Sequence, residues 1–337
     1  MHLTLVVPGL LDVAEADPAR VDSESKAVAR LLASASAGAA LDDIESVVCG
    51  ALGIARQRDW PVAAQLAAAA NLGPAGYWLL AQPVTLIVAG DDVRLAGVVD
   101  NLRREEAAAL VATLAAHFSG EIDWFALRPQ RWLIAAHDAQ RLDTQPAAAA
   151  LGESILALQP AGPDAARWRR WQSEMQMLLF EHPVNVARER AGLAPANGVW
   201  LSYGGSTVDP AAAKARPATV YTDDELLRDL ARARDARALP CPASFAAWRE
   251  SDPGPVSLVW LAGLDARDPK PALAAIGRDW ATPLVAALAA GSIAEATVVV
   301  GARGRALAFR PRRRSSFARW RNQLAPPRLS ALLVHRR

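Results

Sequence analysis

The sequence alternates short apolar runs with stretches of helical periodicity, and this alternation is the feature that most restricts its fold. Leu3–Val7 is an apolar run that ends at Pro8-Gly9, the pattern of a buried strand followed by a turn. Similar runs return later, separated by helical segments: Gly198–Tyr203, Ala218–Tyr221, Val256–Leu261 and Thr297–Val300. Strands and helices in alternation predict an α/β fold with a mostly parallel sheet core and helices on both faces.

A change of period marks an insertion in this pattern. Two apolar runs flank Gly90-Asp91-Asp92, which predicts a β-hairpin, and a helix and two strands follow it. The predicted elements of the insertion are Val84–Val88, Val93–Val98, Arg104–Phe118, Ile122–Leu127 and Trp132–Ala136. We therefore expect a smaller α+β (ββαββ) domain at residues 82–160, inserted into a discontinuous core of residues 1–81 and 161–337.

The composition excludes several classes of protein. The chain has 337 residues and a net charge of +2, with 52% hydrophobic and 21% charged residues, which predicts a globular protein without long disorder. No apolar run approaches the roughly 20 residues of a membrane span, and the N-terminus lacks the basic region of a signal peptide, so we expect a cytoplasmic protein with no membrane partner. Cys49 and Cys241 form no Cys-x-x-Cys pair, which argues against a disulfide framework. The charge run Arg310–Arg314 predicts a solvated edge and no nucleic-acid partner.

The segment 180–205 carries the most specific motif in the chain. It reads as a helix end, a Pro-containing turn, a short polar helix, and a strand that stops at Gly204-Gly205. Glycines allow close approach of the backbone to a ligand, which favours a binding role for the segment. The residues alone also allow a connective role, in which His182 and Asn185 cap helices and the arginines of the segment lie in solvent.

Four blocks of this segment resemble the stretch that joins the substrate lobe to the phosphatase-like core in cofactor-independent phosphoglycerate mutases, especially the archaeal type. The blocks are His182-Pro183-Val184-Asn185, Arg188-Glu189-Arg190, Pro195-Ala196-Asn197 and Gly204-Gly205. Paired strands with an arginine and an acidic turn extend the resemblance upstream: Trp124-Phe125, Arg131–Ile134 and Asp143-Thr144. The whole chain, with Tyr77–Val84 and Glu174–Leu179, is more similar still to a bacterial branch, the RpfE-type regulatory proteins. The resemblance implies a reduced alkaline-phosphatase-like core.

The resemblance also implies a serine nucleophile between two divalent metals held by Asp and His, and the chain departs from that pattern. Pro8 follows the first strand where the family has a metal-binding Asp, and Val300–Gly304 contains no Asp-His pair. Of a third element only Asp265 remains, and no Asn-Ser-Glu turn is present. The five histidines, at positions 2, 117, 137, 182 and 335, leave no imidazole for a core metal site. We expect no catalytic residue, no metal and no cofactor.

The favoured function is a catalytically degenerate, phosphoglycerate mutase-like protein of the RpfE type that acts in regulation or binds a small phosphorylated or carboxylated ligand. Arginine suits such a ligand because its planar fork matches an oxyanion. The residues that the resemblance places at the ligand are Arg131, His182, Asn185, Arg188 and Asn197, with Arg190 as a further candidate.

Two alternatives stay open. The first is an active cofactor-independent phosphoglycerate mutase or related phosphoryl transferase with Mn²⁺ or Mg²⁺ in a rearranged site, for which Asp12, Asp17 and Asp265 offer oxygen ligands. The second is a protein-interaction module with a protein partner, because eleven tryptophans are many for this length. Its candidates are Trp168, Trp171, Trp248, Trp280 and Trp320, although tryptophan at helical spacing more often belongs to a core.

Overall fold

The fold was analysed in a computed structural model, in which residues 1–35, 38–206, 218–264, 268–302, 304–312 and 327–334 are described. The chain divides into two compact units. The first combines Met1–Gly53 with Ala215–Arg337, and the second is the continuous segment Ile54–Lys214.

Strands and helices are numbered in chain order. The strands are β1 (His2–Val7), β2 (Ala39–Leu41), β3 (Tyr77–Ala89), β4 (Asp92–Val98), β5 (Ile122–Arg128), β6 (Arg131–Ala136), β7 (Gly198–Gly205), β8 (Thr219–Tyr221), β9 (Ala238–Leu239), β10 (Val256–Trp260), β11 (Glu295–Ala302) and β12 (Arg305–Phe309). The helices are α1 (Leu10–Ala16), α2 (Pro18–Glu24), α3 (Lys26–Ala33), α4 (Glu45–Ala51), α5 (Val62–Ala69), α6 (Arg104–His117), α7 (Ala147–Ala150), α8 (Ala165–Phe180), α9 (Pro183–Arg190), α10 (Glu225–Ala233), α11 (Phe245–Glu250), α12 (Lys270–Ile276), α13 (Thr282–Ala290) and α14 (Leu329–Val334).

A seven-stranded sheet forms the centre of the first unit, in the order β2-β12-β11-β1-β10-β8-β9. The five strands from β11 to β9 are parallel, and β12 and β2 add an antiparallel edge. Leu3, Leu5 and Val7 of β1 belong to one core cluster, and Val6 is buried as well. Since successive side chains of a strand point to opposite faces, both faces of the sheet are covered at β1. The prediction of a mixed α/β fold with a mostly parallel sheet is confirmed.

Before β11 the chain forms one continuous helical stretch with a change of winding. Between α12 and α13 the chain makes a π-helical turn at Gly277–Ala281, and the side chain of Trp280 in this turn is buried in the core. Among the helices of the described ranges, none combines the length and the apolar character needed to cross a membrane.

The second unit is built on an antiparallel sheet of five strands, in the order β4-β3-β6-β5, with β7 also paired to β3. Helices α6 and α8 pack on one face of this sheet, where Trp132, Trp168 and Trp171 fill the core. Helix α5 contacts β3 and β7. The predicted succession of two strands, a helix and two strands matches β3, β4, α6, β5 and β6.

The division of the chain differs from the predicted boundaries at residues 82 and 160. Residue 82 lies inside β3, which begins at Tyr77. Strand β7, which we assigned to the parallel core, instead pairs antiparallel with β3, with Gly198 opposite Val84 and Leu201 opposite Ala81. The prediction was wrong for β7 because its apolar sequence suits either sheet, and only the pairing with a distant strand decides between them.

Candidate functional site

The segment 180–205 begins with a helix cap built by His182. Helix α8 ends at Phe180, and the Nδ1 atom of His182 accepts a hydrogen bond from the backbone N–H of Val184, 3.2 Å away, at the start of α9. Its Nε2 atom lies 3.0 Å from the Oγ1 atom of Thr113 in α6. Partial burial lowers the pKa of His182, which favours the neutral ring that a cap requires. The capping role is the one that the connective interpretation predicts for this residue.

Asn185 is fully buried, and its amide joins the two ends of the segment. The Nδ2 atom donates to the carbonyl oxygens of Leu179, at 2.7 Å, and Ala196, at 3.0 Å. The Oδ1 atom accepts from the backbone N–H of Ala196 at 2.8 Å. Asn185 therefore caps the carbonyl oxygen of Leu179 in the last turn of α8, as the connective interpretation predicted, and it also bridges this helix end to the loop before β7.

Arg188 is also buried, with 1% of its surface exposed, and its guanidinium has three partners within the second unit. It donates to Glu106 Oε2 at 3.0 Å, to Asn101 Oδ1 at 2.6 Å and to the carbonyl oxygen of Ala194 at 2.8 Å. Burial opposes the ionisation of Glu106, but hydrogen bonds from Arg103 and the charge of Arg188 outweigh it, so the pKa of Glu106 is lowered. The connective interpretation predicted that Arg188 lies in solvent. This prediction is wrong, because the guanidinium is buried and donates to protein atoms.

The side chain of Asn197 extends the ladder between β7 and β3 by one step. Its Oδ1 atom accepts from the backbone N–H of Leu86 at 2.7 Å, and its Nδ2 atom donates to the carbonyl oxygen of Leu86 at 3.0 Å. The amide thus replaces a strand residue at a point beyond the Val84–Gly198 pair, where β7 has not yet begun. This pairing satisfies both backbone groups of Leu86 on that edge.

The fifth predicted residue, Arg131, lies on a different element. It is the first residue of β6, opposite Arg128 of β5, and 5% of its surface is exposed. Asn185 and Arg188 thus bond to the same loop before β7, Asn185 at Ala196 and Arg188 at Ala194. Arg131 lies elsewhere, in the β5–β6 hairpin. A phosphate or carboxylate that bound Arg188 would have to replace Glu106 or Asn101. Contact of these residues with a ligand stays a prediction.

The glycine pair at the end of β7 is explained by packing within the second unit. A Cβ atom on Gly204 would overlap the hydroxyl of Tyr77, and one on Gly205 would overlap Pro61. The two glycines therefore allow close approach of β7 to β3 and to the start of α5. The sequence predicted close approach at this point, but to a ligand.

Sequence reasoning missed Asp59, a buried carboxyl beside this glycine pair. Its Oδ1 atom accepts from the backbone N–H of Trp60 at 2.8 Å, and its Oδ2 atom accepts from the hydroxyl of Thr144 and from the N–H of Gly204, at 3.3 Å. Asp59 lies in a loop without periodicity, and its partners come from distant parts of the chain, so no local pattern could have indicated it.

A groove of about 550 Å³ opens beside the same sheet. Trp78 and Phe125 line it with ring centroids 5.6 Å apart. His137 and Asp123 also line it, with 3.1 Å between Nε2 and Oδ2. His137, the residue after β6, thus contacts Asp123 of β5.

In the first unit, the carboxyl ends of the parallel strands are where a ligand or metal of an α/β fold would bind. Strand β1 is followed by Pro8 and Gly9, the latter with φ +76°. After β8, Asp223 Oδ1 accepts from the backbone N–H of Cys241 at 3.1 Å, and Asp224 caps α10 by accepting from the N–H of Leu227 at 3.0 Å. Burial, with a smaller contribution from Asp223, raises the pKa of the Cys241 thiol to about 11, which keeps the thiol protonated at neutral pH.

These residues do not fit the pair of divalent metals that the family resemblance implies. Within the described ranges, no three His, Cys, Asp or Glu side chains are placed to hold a metal ion. The carboxylates at the end of β8 are engaged with backbone N–H groups of their own unit. Asp265 lies outside the described residues, as do Arg313, Arg314 and Trp320.

The tryptophans proposed for a protein interface are core residues wherever the structure describes them. Trp168 and Trp248 are fully buried, and Trp171 and Trp280 are 3% exposed. Trp168 and Trp171 contact each other edge to face, with centroids 4.9 Å apart. The core interpretation is confirmed for these four, and none of them can contact a partner without unfolding its surroundings.

Two solved structures align with most of the chain. A cofactor-independent phosphoglycerate mutase from Thermoplasma acidophilum aligns over 92% of this chain and 89% of its own, with 15% identity and a TM-score of 0.41. A protein from Pyrococcus horikoshii aligns over 92% of this chain and 86% of its own, with 12% identity and a TM-score of 0.42. No family model and no curated protein matches the sequence.

Proposed function

We propose that the chain is a phosphoglycerate mutase-like protein of the RpfE type, with a reduced alkaline-phosphatase-like core, that acts by binding and not by phosphoryl transfer. The observation that carries this proposal is the set of possible metal ligands at the carboxyl ends of the parallel strands. Pro8 and Gly9 follow β1, and Asp223 and Asp224 follow β8 with their carboxylates engaged by backbone N–H groups. Two-metal phosphoryl transfer needs several carboxylate and imidazole ligands at one place, and the described residues that follow β1 and β8 offer two carboxylates and no imidazole.

The state of the segment 180–205 supports the same proposal. In a working mutase of the family this stretch would serve the substrate, whereas here Arg188 is neutralised by Glu106 and Asn185 is hydrogen-bonded to backbone on both of its amide atoms. These residues stabilise the join between α8, α9 and β7. A small phosphorylated or carboxylated ligand remains the proposed binding partner, with Arg131 as its first candidate contact.

Catalysis is tested with the purified full-length chain. We expect no stoichiometric divalent metal by elemental analysis and no conversion of 3-phosphoglycerate to 2-phosphoglycerate in the presence of added Mn²⁺. Turnover that requires Mn²⁺ and disappears with a chelator would contradict the proposal and favour the enzyme alternative.

Ligand binding is tested by calorimetric titration with 3-phosphoglycerate and with inorganic phosphate. Arg131→Lys keeps the charge but removes the bidentate fork, so we expect it to weaken binding of both probes. Arg169→Ala, at an exposed arginine of α8, is the matched control and should leave the affinity unchanged. Equal affinities for the wild type and Arg131→Lys would exclude Arg131 from the site.

A further inference from the structure

The register of the antiparallel sheet explains how the groove beside it is built. Ala135 of β6 stands opposite Trp78 of β3 on one side and opposite Asp123 of β5 on the other. Phe125, two residues after Asp123, points to the same face, because successive side chains of a strand alternate. Trp124 points to the other face, into the core cluster under α6 and α8. The register thus places two aromatic rings and one carboxylate on a single face of the sheet.

A loop forms a second wall of the groove and is held close to the sheet by a glycine. Residues 73–76 line the groove. A Cβ atom on Gly76 would lie 2.5 Å from the carbonyl oxygen of His137, so a side chain here would overlap the backbone at the end of β6. The carbonyl oxygen of Gly76 also accepts a hydrogen bond from the hydroxyl of Ser206, at 2.8 Å. The enclosed volume of about 550 Å³ lies within the range of roughly 300–1,000 Å³ that is typical of small-molecule sites.

The charge of the groove favours a cation. Asp123 and His137 are its titratable lining side chains, and its lining residues include no Arg or Lys. The Asp123 side chain is 58% exposed, and its carboxylate lies 3.1 Å from Nε2 of His137. A neutral imidazole that donates to the carboxylate orients it and leaves its negative charge in place. The faces of aromatic rings are negative as well, so both features attract a cation and repel an anion.

The aromatic rings determine which kind of cation suits the groove. The ring planes of Trp78 and Phe125 are inclined at 51°, with 5.6 Å between centroids. Trp78 is buried and Phe125 is half-buried, so Phe125 offers the more accessible ring. A ring face attracts an ammonium group that lies within about 6 Å of its centroid. An alkylated nitrogen suits this place best, because its alkyl groups contact the ring and it has fewer N–H groups to strip of water.

We propose that this groove binds a small organic ammonium ion, with its alkylated nitrogen against the ring of Phe125 and its charge balanced by Asp123. The site is separate from Arg131, the candidate contact of the oxyanion ligand. Arg131 lies beside the turn of the β5–β6 hairpin, opposite Arg128, whereas Asp123 lies toward the other end. Ammonium binding in the groove and oxyanion binding at Arg131 therefore succeed or fail independently.

The test compares two probes that have the same shape and differ in charge: choline and its uncharged isostere 3,3-dimethylbutan-1-ol. Each is titrated at neutral pH into the full-length ¹⁵N-labelled protein, and the backbone amide shifts of Ala135 and His137 are followed. We expect choline to shift both amides saturably and the alcohol to bind at least about fivefold more weakly. Equal affinities of the two probes, or no shift of either amide with choline, would overturn the proposal.

Two substitutions test the two contacts separately. Asp123→Asn removes the charge and keeps the shape, and Phe125→Leu keeps an apolar side chain but removes the ring. Each should weaken choline binding by roughly two- to fivefold. The matched control is Glu121→Gln, at an exposed carboxylate that precedes β5 and does not line the groove, and it should leave the affinity unchanged. Asp123 is exposed, so its replacement does not threaten folding, and an unchanged choline affinity in Asp123→Asn alone would overturn the proposal.

Discussion

At the scale of single residues, the segment between α8 and β7 depends on polar side chains that are buried and internally paired. Arg188 and Glu106 form an ion pair in which both side chains are at most 9% exposed. Such a pair is costly to break from one side, because the remaining charge is left buried without a partner. The residues that resemble a substrate site therefore carry the stability of this join.

Removing the guanidinium of Arg188 should destabilise the protein strongly. We expect Arg188→Ala to lower the free energy of unfolding by about 3–5 kcal/mol, measured by urea denaturation at neutral pH. The matched control is Arg190→Ala, at an exposed arginine of the same helix, which should change the free energy by no more than about 0.5 kcal/mol. Similar small effects of both substitutions would show that Arg188 is not part of a buried network.

His182 should make stability sensitive to mild acid. Its pKa is lowered by burial, so the unfolded chain binds the proton more readily, and stability is lost as the pH falls below the usual histidine value of about 6.5. His182→Asn keeps a side chain that caps helices but cannot titrate. In thermal denaturation between pH 5 and pH 8, the melting temperature of the wild type should fall toward acid pH, and that of the variant should fall less. Equal decreases in the two proteins would exclude His182 as the cause.

At the scale of elements, the end of β7 is shaped by the contact of Gly204 with Tyr77. We expect Gly204→Ala to destabilise the protein by about 1–3 kcal/mol, because its Cβ atom would overlap the Tyr77 hydroxyl. Tyr77→Phe removes that oxygen but keeps the ring carbons Cε1 and Cζ, 2.7 and 2.8 Å from the added Cβ position, so the double variant should stay destabilised. Gly97→Ala, in β4, has open space around its Cβ position and is the strand control. If Gly97→Ala lost as much stability as Gly204→Ala, the cause would be a general cost of replacing a glycine in a strand.

The elements were predicted well where the signal is local. The hairpin around Gly90 and the helix from Arg104 follow from turn chemistry and periodicity, and both form as predicted. The sheet that receives β7 could not be predicted, because its pairing with β3 joins distant parts of the chain. For the candidate site, the sequence indicated the polar residues of the segment 180–205, but only the structure shows that Arg188 is turned toward Glu106.

At the scale of the whole molecule, one continuous unit is inserted into a discontinuous one. Ile54–Lys214 contains its own sheet and its own core cluster. We expect the fragment 54–214 to fold alone, with cooperative thermal unfolding and blue-shifted tryptophan fluorescence, because Trp132, Trp168 and Trp171 are buried within it. A fragment with the fluorescence of solvent-exposed tryptophan would contradict the independence of this unit.

The placement of β1 at the centre of the seven-stranded sheet sets an order of events during synthesis. Its six residues pair with β10 and β11, which are encoded near the other end of the chain. At translation rates of about 5–20 residues per second, β1 waits on the order of ten seconds or more for these strands, while the inserted unit is completed first. During that interval an apolar strand with both edges open is exposed to other nascent chains, so a chaperone that shields the first 50 or so residues should raise the yield of folded protein more than one that acts after release.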